Sequence, residues 1–504
     1  MRTGLCIFLT FCFSLVFGQN GPNSTGANYQ SGQLLVQIDP AVDADEVFRS
    51  LEERNHLPIK EVVLLTEIVS IYQIVFEDEE LDLNQAMTIL RDYPMVWTVQ
   101  KNHFIYERET IPSDTLFNEQ WHLRNDGSSG GTADADIDAT DAWDITTGGT
   151  TTHSDEIVVC VVEGSGVDIS HVDLVDNIWH NTMEIDGDGL DNDGNGYVDD
   201  YDGWNVETET DDVGSGSHGT RVSSMIGAKG DNVTGISGVN WDVKIMVVKG
   251  QSASDEASVI AAYAYPLKMR KMYNESYGDD GAFVVATNSS WGIDGGDPDD
   301  SPLWCAMYDS MGVQGILSVA ATTNDDDNVD EVGDLPTTCS SEYLIAITMT
   351  NDDDNRAASG YGPINVDLGA PGFGVQLAFP GDVYGNTSGT SFATPCVAGA
   401  IALAYSTPCP GFINWVKYDP AQAALDMRDY FYDNVDPIPS LSGEVATGGR
   451  LNVNEAILDI MDDCDPNPCI PPYNMHYLAL TDSAVTLYWD GFSLEYTVYI
   501  STNG

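Results

Sequence analysis

Strand-like and helix-like hydrophobic stretches divide this chain into two patterned regions. In the first, Leu34–Ile38 reads as a strand and Asp43–Asn55 as a helix. Glu61–Leu65 and Val69–Phe76 read as strands, Leu83–Arg91 as a helix and Val96–Ile105 as a last strand. The order β-α-β-β-α-β predicts a small α+β domain over residues 31–108. From about residue 117 to 462 the rhythm lengthens. Apolar runs at Glu156–Val162, Val243–Val248, Phe283–Thr287, Gly315–Ala320 and Tyr343–Thr348 read as strands, and Ser258–Met272 and Ser391–Ala404 as helices. That alternation predicts an α/β domain whose parallel sheet carries helices on both faces. Asp463–Pro472 is a Cys/Pro linker. Beyond it, Val485–Trp489 and Tyr496–Ile500 read as strands, opening a β-sandwich that stops after about a third of such a domain.

The amino terminus has a different pattern. Arg2 precedes an apolar run from Leu5 to Phe17, and Gly18 supplies a small residue before Gln19. This is the form of a secretory signal peptide over residues 1–18, and the run is too short to span a membrane. Residues 19–30 are a Gly/Ser/Asn-rich leader. No later segment has the length to span, so an exported, extracellular protein is expected. Cys6 and Cys12 fall in the signal, leaving seven of the nine cysteines. An odd number outside the cell requires at least one free thiol. Cys160 and Cys396 lie in apolar stretches and read as core thiols; Cys305–Cys339 and Cys464–Cys469 are the expected bridges.

Charge narrows the range of partners. The 504 residues carry 80 acidic and 19 basic side chains, a formal net charge of −61. Such a surface repels nucleic acid and anionic membranes. Disorder is the other reading of so much charge. An aromatic content of 10% argues against it.

The chemistry concentrates in Gly389-Thr390-Ser391-Phe392-Ala393-Thr394-Pro395, followed by Ala398, Gly399, Ala400 and Ala402. A hydroxyl on a Gly-flanked turn that opens a small-residue helix is presented where the helix dipole favours negative charge. An ordinary N-cap serine does not require this combination, with a Pro inside the first turn. The heptapeptide resembles the serine signature of the subtilisin-like serine peptidases. The resemblance implies an acid–His–Ser order along the chain, with Ser391 as nucleophile. His218, in Gly216-Ser217-His218-Gly219-Thr220, matches the family's His-Gly-Thr signature and is the implied base. Arg221 stands where the family often has a second His.

The acid position departs from the family pattern. The strand Ile157–Val162 runs into Glu163-Gly164-Ser165-Gly166-Val167-Asp168. Anchoring on the strand makes Glu163 the acid. Anchoring on Ser165-Gly166-Val167-Asp168 puts Gly164 there and leaves no carboxylate; Asp168 is a third possibility. Glu163 is favoured, because a carboxylate at a buried strand end needs a partner. In Val319-Ala320-Ala321-Thr322-Thr323-Asn324 the resemblance implies Asn324 as oxyanion donor beside the Ser391 N–H. Thr323 replaces the family's glycine and reshapes the pocket wall. Ser290-Trp291-Gly292 resembles the segment that pairs with substrate backbone as an added strand.

One motif suggests a metal. Asp191-Asn192-Asp193-Gly194-Asn195-Gly196-Tyr197-Val198-Asp199-Asp200-Tyr201-Asp202 spaces its oxygen donors as an EF-hand-type loop does. Asp191, Asp193, Asn195, Tyr197 (through its carbonyl), Asp199 and Asp202 are the expected ligands of a structural Ca²⁺.

The first region has the ferredoxin-like order. Placed before a subtilisin-like domain it resembles that family's propeptide, an inhibitor acting in cis and cut near Tyr106–Thr110. The sequence therefore points to a secreted, calcium-stabilised serine endopeptidase acting on polypeptides and made as a self-processing zymogen. The rivals are a pseudo-peptidase serving as a secreted binding module, and a purely Ca²⁺-binding surface protein.

Overall fold

The computed structural model describes residues 29–103 (except 56, 67, 79 and 80), 109–250, 255–464, and two strands at 473–480 and 485–490. The expected signal peptide, most of the leader, the cleavage region at 106–108 and the strand at 496–500 lie outside these residues. The chain divides into two units, ending at Arg108 and beginning at Glu109.

The first unit follows its hydrophobic pattern. Strands β1 (Tyr29–Ile38), β2 (Ile59–Thr66), β3 (Ile71–Phe76) and β4 (Val96–His103) form an antiparallel sheet of order β2-β3-β1-β4. Leu34, Val36 and Ile38 alternate inward on β1. They meet Val47, Phe48 and Leu51 of α1 (Ala44–Asn55) and Leu83, Ala86 and Leu90 of α2 (Leu83–Arg91). Asp82 caps α2 by accepting from the N–H groups of Asn84 and Gln85. Strand β1 begins at Tyr29, paired with His103. The ordered unit thus reaches into the stretch read as leader.

The second unit alternates strand and helix. Its elements are α3 (Ala139–Trp143), β5 (Val158–Glu163), β6 (Trp204–Asn205), α4 (Ser217–Gly227), β7 (Lys244–Lys249), α5 (Glu256–Ser276), β8 (Val284–Ser289), β9 (Ile293–Asp294), α6 (Pro302–Val313) and β10 (Leu317–Ala321). They continue with α7 (Val329–Val332), β11 (Asp334–Leu335), β12 (Leu344–Thr350), β13 (Leu368–Pro371), β14 (Val375–Phe379), β15 (Val383–Thr387) and α8 (Thr390–Ala404). Helices α9 (Pro410–Tyr418), α10 (Pro420–Asp433) and α11 (Val453–Asp462) close the unit around the short strands β16 (Asp436–Pro437) and β17 (Gly449–Arg450). Nine strands make one sheet of order β16-β17-β13-β12-β10-β8-β5-β7-β6, parallel except at its β16 edge. Beyond α11, β18 (Tyr473–Leu480) and β19 (Val485–Asp490) pair as an antiparallel hairpin.

Burial on both faces explains the unbroken apolar runs. All six residues of β5 are buried. Val159 and Val161 face one core with α4 and α8, while Val158, Cys160 and Val162 face a second with α5 and α6. Helix α8 is apolar all round, as a helix through a core must be. It begins at Thr390, so Pro395 lies in its second turn rather than its first. There the ring removes the N–H that would bond to the Ser391 carbonyl. The Ser290 hydroxyl donates to that carbonyl instead, at 2.7 Å.

The bridges differ from expectation at one end. Cys305 pairs with Cys339, but Cys464 pairs with Cys409 and not with Cys469. The end of α11 returns to the start of α9, bringing these Cα atoms to 5.7 Å. Cys469 lies outside the described residues. Cys160 and Cys396 are free and buried. Because the Cys409–Cys464 bridge closes a separation of 55 residues, Cys464→Ser should lower stability by about 2–4 kcal/mol. Thermal unfolding of the variant beside the oxidised parent measures it.

Candidate active site

Parallel strands deliver their carboxyl ends to one edge of the sheet, and the candidate residues gather there. Glu163 ends β5, Ser290 follows β8 and Asn324 follows β10. His218 and Ser391 open α4 and α8. The side chain of Glu163 is only 3% exposed, and that of His218 is 33% exposed. His218 Nδ1 lies 3.0 Å from both carboxylate oxygens of Glu163. An ionised carboxylate only accepts, so Nδ1 carries the ring proton and Nε2 keeps its lone pair.

Glycines allow this contact. Gly166 has φ +76°, and a Cβ there would meet the Val213 carbonyl oxygen at 1.6 Å. A Cβ on Gly219 would come within 2.3 Å of the Gly166 oxygen. The first turn of α4 therefore rests directly on the loop after β5, backbone against backbone, which sets the imidazole over Glu163. Asp168 is not in this contact. Its Oδ1 accepts from the Ser170 hydroxyl at 2.7 Å and its Oδ2 from Gly381 N–H at 2.9 Å. Arg221 donates to Thr387 and lies over the rings of Phe379 and Phe392.

Ser391 is fixed reciprocally. Its hydroxyl donates to the Ser290 carbonyl at 3.1 Å, while the Ser290 hydroxyl donates to the Ser391 carbonyl. Position 391 falls in the first turn of α8, where a backbone N–H has no intrahelical partner. Asn324 is turned by a residue the sequence reading did not single out. Thr390 N–H donates to Asn324 Oδ1 at 3.0 Å, and the Thr390 hydroxyl donates to the Thr322 carbonyl at 2.6 Å. Holding the amide oxygen in this way leaves the Asn324 –NH₂ as the free end. Trp291 Nε1 donates to the Val162 carbonyl at 2.8 Å, tying the 290–292 segment to β5. Gly292 has no room for a side chain, since a Cβ would sit 2.1 Å from the Leu335 oxygen. Thr323 is buried, and its hydroxyl accepts from Asp325 N–H.

The acidic loop gathers part of its expected ligand set. Carboxylate oxygens of Asp191 and Asp193 lie within 4.8 Å of one another and of Glu184, which the loop spacing does not include. Asn195 donates its amide to Asp193 and Asp200, and its oxygen accepts from Tyr197 N–H. The two distal positions are not in this cluster. Asp199 accepts from the N–H groups of Asp188 and Gly189, and Asp202 lies 2.8 Å from His180 Nδ1. The loop has no flanking helices to fold its last carboxylate back, so EF-hand spacing does not produce EF-hand geometry here. Glu184 Oε1 accepts from Asn192 and Asp193 N–H groups. Its Oε2 is buried with no hydrogen-bond partner.

Comparison with known proteins identifies the family. The profile of the Subtilase family matches residues 154–426. An extracellular protease of Xanthomonas campestris is 28% identical over 356 residues, covering 66% of this chain and 56% of its own. Subtilisin-like protease 1 of Plasmodium berghei is 25% identical over 331 residues, 61% of this chain and 50% of its own. The cell wall-associated protease of Bacillus subtilis is 26% identical over 376 residues, 70% of this chain and 36% of its own. This chain belongs to the subtilase family. It spans about half the length of these relatives, or less.

Replacing Gly219 by Ala should cost about 1–3 kcal/mol, because helix α4 must lift from the Gly166 carbonyl. Chemical denaturation of the variant measures the loss.

Proposed function

We propose that this protein is a secreted serine endopeptidase in which Glu163, His218 and Ser391 carry the reaction. The observation that carries this reading is His218 Nδ1 held against both oxygens of Glu163, with Ser391 opening the neighbouring helix. Glu163 keeps the proton on Nδ1 and balances the charge His218 acquires. The Ser391 hydroxyl, which donates to the Ser290 carbonyl in the free protein, turns to Nε2, which takes its proton as the oxygen attacks a peptide carbonyl. The Asn324 –NH₂ and the Ser391 N–H receive the oxyanion. Collapse expels the amine, which takes the proton from Nε2, and an acyl-enzyme remains. Water repeats the sequence and releases the acid. The 290–292 segment offers backbone for an extended substrate to join as a strand. An inactive binding module gains no support from a site where acid, imidazole and hydroxyl are all present.

Glu163→Gln should lower kcat/KM by about 10³–10⁴-fold, since an amide cannot hold the same tautomer or balance the imidazolium. Unchanged peptide hydrolysis would remove Glu163 from the mechanism. A serine-directed fluorophosphonate should label the parent and not Ser391→Ala.

The first unit supports a zymogen reading, as a separate β-α-β-β-α-β body preceding the subtilase region. Ser391→Ala should then retain residues 19 to about 108, which intact-mass analysis would detect. Export is supported by the residue pattern of 1–18, by two disulfides, and by extracellular and cell-wall names among the relatives. No helix among the described residues is long and apolar enough to cross a membrane.

Calcium suits the donors of the acidic loop. Glu184, Asp191 and Asp193 offer hard carboxylate oxygens, and the orphaned Glu184 Oε2 is an atom a cation would satisfy. Chelation should reduce stability by roughly 3 kcal/mol relative to Ca²⁺ at 100-fold above its Kd. Glu184→Gln should abolish most of that difference in thermal unfolding.

A further inference from the structure

The cavity beside Ser391 has a chemical character that peptide-bond hydrolysis does not require. It encloses about 310 Å³, and its lining runs from Ser391 and Asn324 to three aspartates, Asp294, Asp325 and Asp334. Asp334 is 1% exposed. Its Oδ2 accepts from the Thr337 hydroxyl at 2.6 Å and from Thr323 N–H at 3.2 Å. No lysine or arginine pairs with it among the described residues. Arg356, a cation of the neighbouring loops, is taken by Asp326 and Glu444.

The backbone sets a second carboxylate against the first. Strands β9 and β11 form a two-residue antiparallel ribbon in which Asp334 stands directly opposite Asp294. Like charges in that register repel one another. Burial, together with Asp294, pushes the Asp334 carboxyl up to about 7, against the hydrogen bonds from Thr337 and Thr323. A buried acid without a counter-ion is costly in the free protein. A cation arriving from solvent offsets that cost.

We propose that Asp334, assisted by Asp294, makes this cavity select a lysine or arginine side chain immediately before the scissile bond. The proposal rests on the peptidase reading above. A long, narrow stem with a charged tip fits the pocket on two counts. Thr323 stands buried in the wall, and the carboxylates receive the tip. An acid in this position favours a cationic tip, which pairs with the carboxylate as no neutral side chain can.

The test uses the processed protein and a set of peptidyl-coumarin substrates differing only in the residue before the cleaved bond: Arg, Lys, Met and Phe. Arg or Lys should exceed Met and Phe at least tenfold in kcat/KM. Asp334→Asn should lower the Arg-to-Met ratio at least tenfold, and Asp294→Asn, an exposed change, should lower it several-fold. Benzamidine, a small aryl cation, should inhibit the parent competitively and the Asp334→Asn variant more weakly. A parent that prefers Phe or Met overturns the proposal. So does an Asp334→Asn variant that loses Arg and Met cleavage in equal proportion, which is the outcome of a purely structural aspartate. Should Asp334→Asn fail to fold, the parent's ranking and Asp294→Asn decide. Fluorophosphonate labelling of Ser391 separates the two levels. Labelling with apolar preference defeats only the pocket assignment, whereas no labelling and no cleavage defeats the peptidase reading beneath it.

Discussion

The first turn of α4 meets the loop after β5 with no side chain between them, and the site is built on that contact. Gly219 lets α4 approach the Gly166 carbonyl, and Gly166 lets the same loop approach the Val213 carbonyl, where a methyl group would force either pair apart. The approach converts a buried strand end and an exposed helix start into one imidazole–carboxylate pair. Buried, Glu163 would be an expensive charge if His218 stood farther off.

A second group of constraints acts at α8. Pro395 removes one helical hydrogen bond, and Ser290 fills the vacancy. Thr390 holds the amide oxygen of Asn324. Neither interaction touches the place where a peptide would react. Both determine where the groups that line it can point.

The sheet was legible in the sequence because parallel strands buried on both faces leave continuous apolar runs, as in Val158–Val162 and Leu344–Met349. The helix through the core was legible because Ala398, Gly399, Ala400 and Ala402 let a helix pass through close-packed surroundings. Serine and histidine stood out by their glycine neighbours. Other features carry no local signal. Glu184 lies seven residues before Asp191, and only the fold of the loop brings them together. The spacing of Asp199 and Asp202 fits a ligand pattern, yet their carboxylates are used elsewhere, because spacing does not encode the direction of a side chain. The Cys409–Cys464 pair joins two helices that only tertiary packing makes neighbours. Asp334 hides in a turn-rich stretch, and its meaning depends on the ribbon that sets it opposite Asp294.

The paired serines have a mechanical consequence. Ser290 and Ser391 each donate a hydrogen bond to the other's carbonyl, so the strand extension along 290–292 and the head of α8 are tied together. A chain laid along that extension would bear on both bonds, one at the Ser391 hydroxyl and one at its carbonyl. Grip and aim therefore share one lever. A substitution at 290 removes the bond to the Ser391 carbonyl directly, and reaches the Ser391 hydroxyl only through the backbone carbonyl of residue 290.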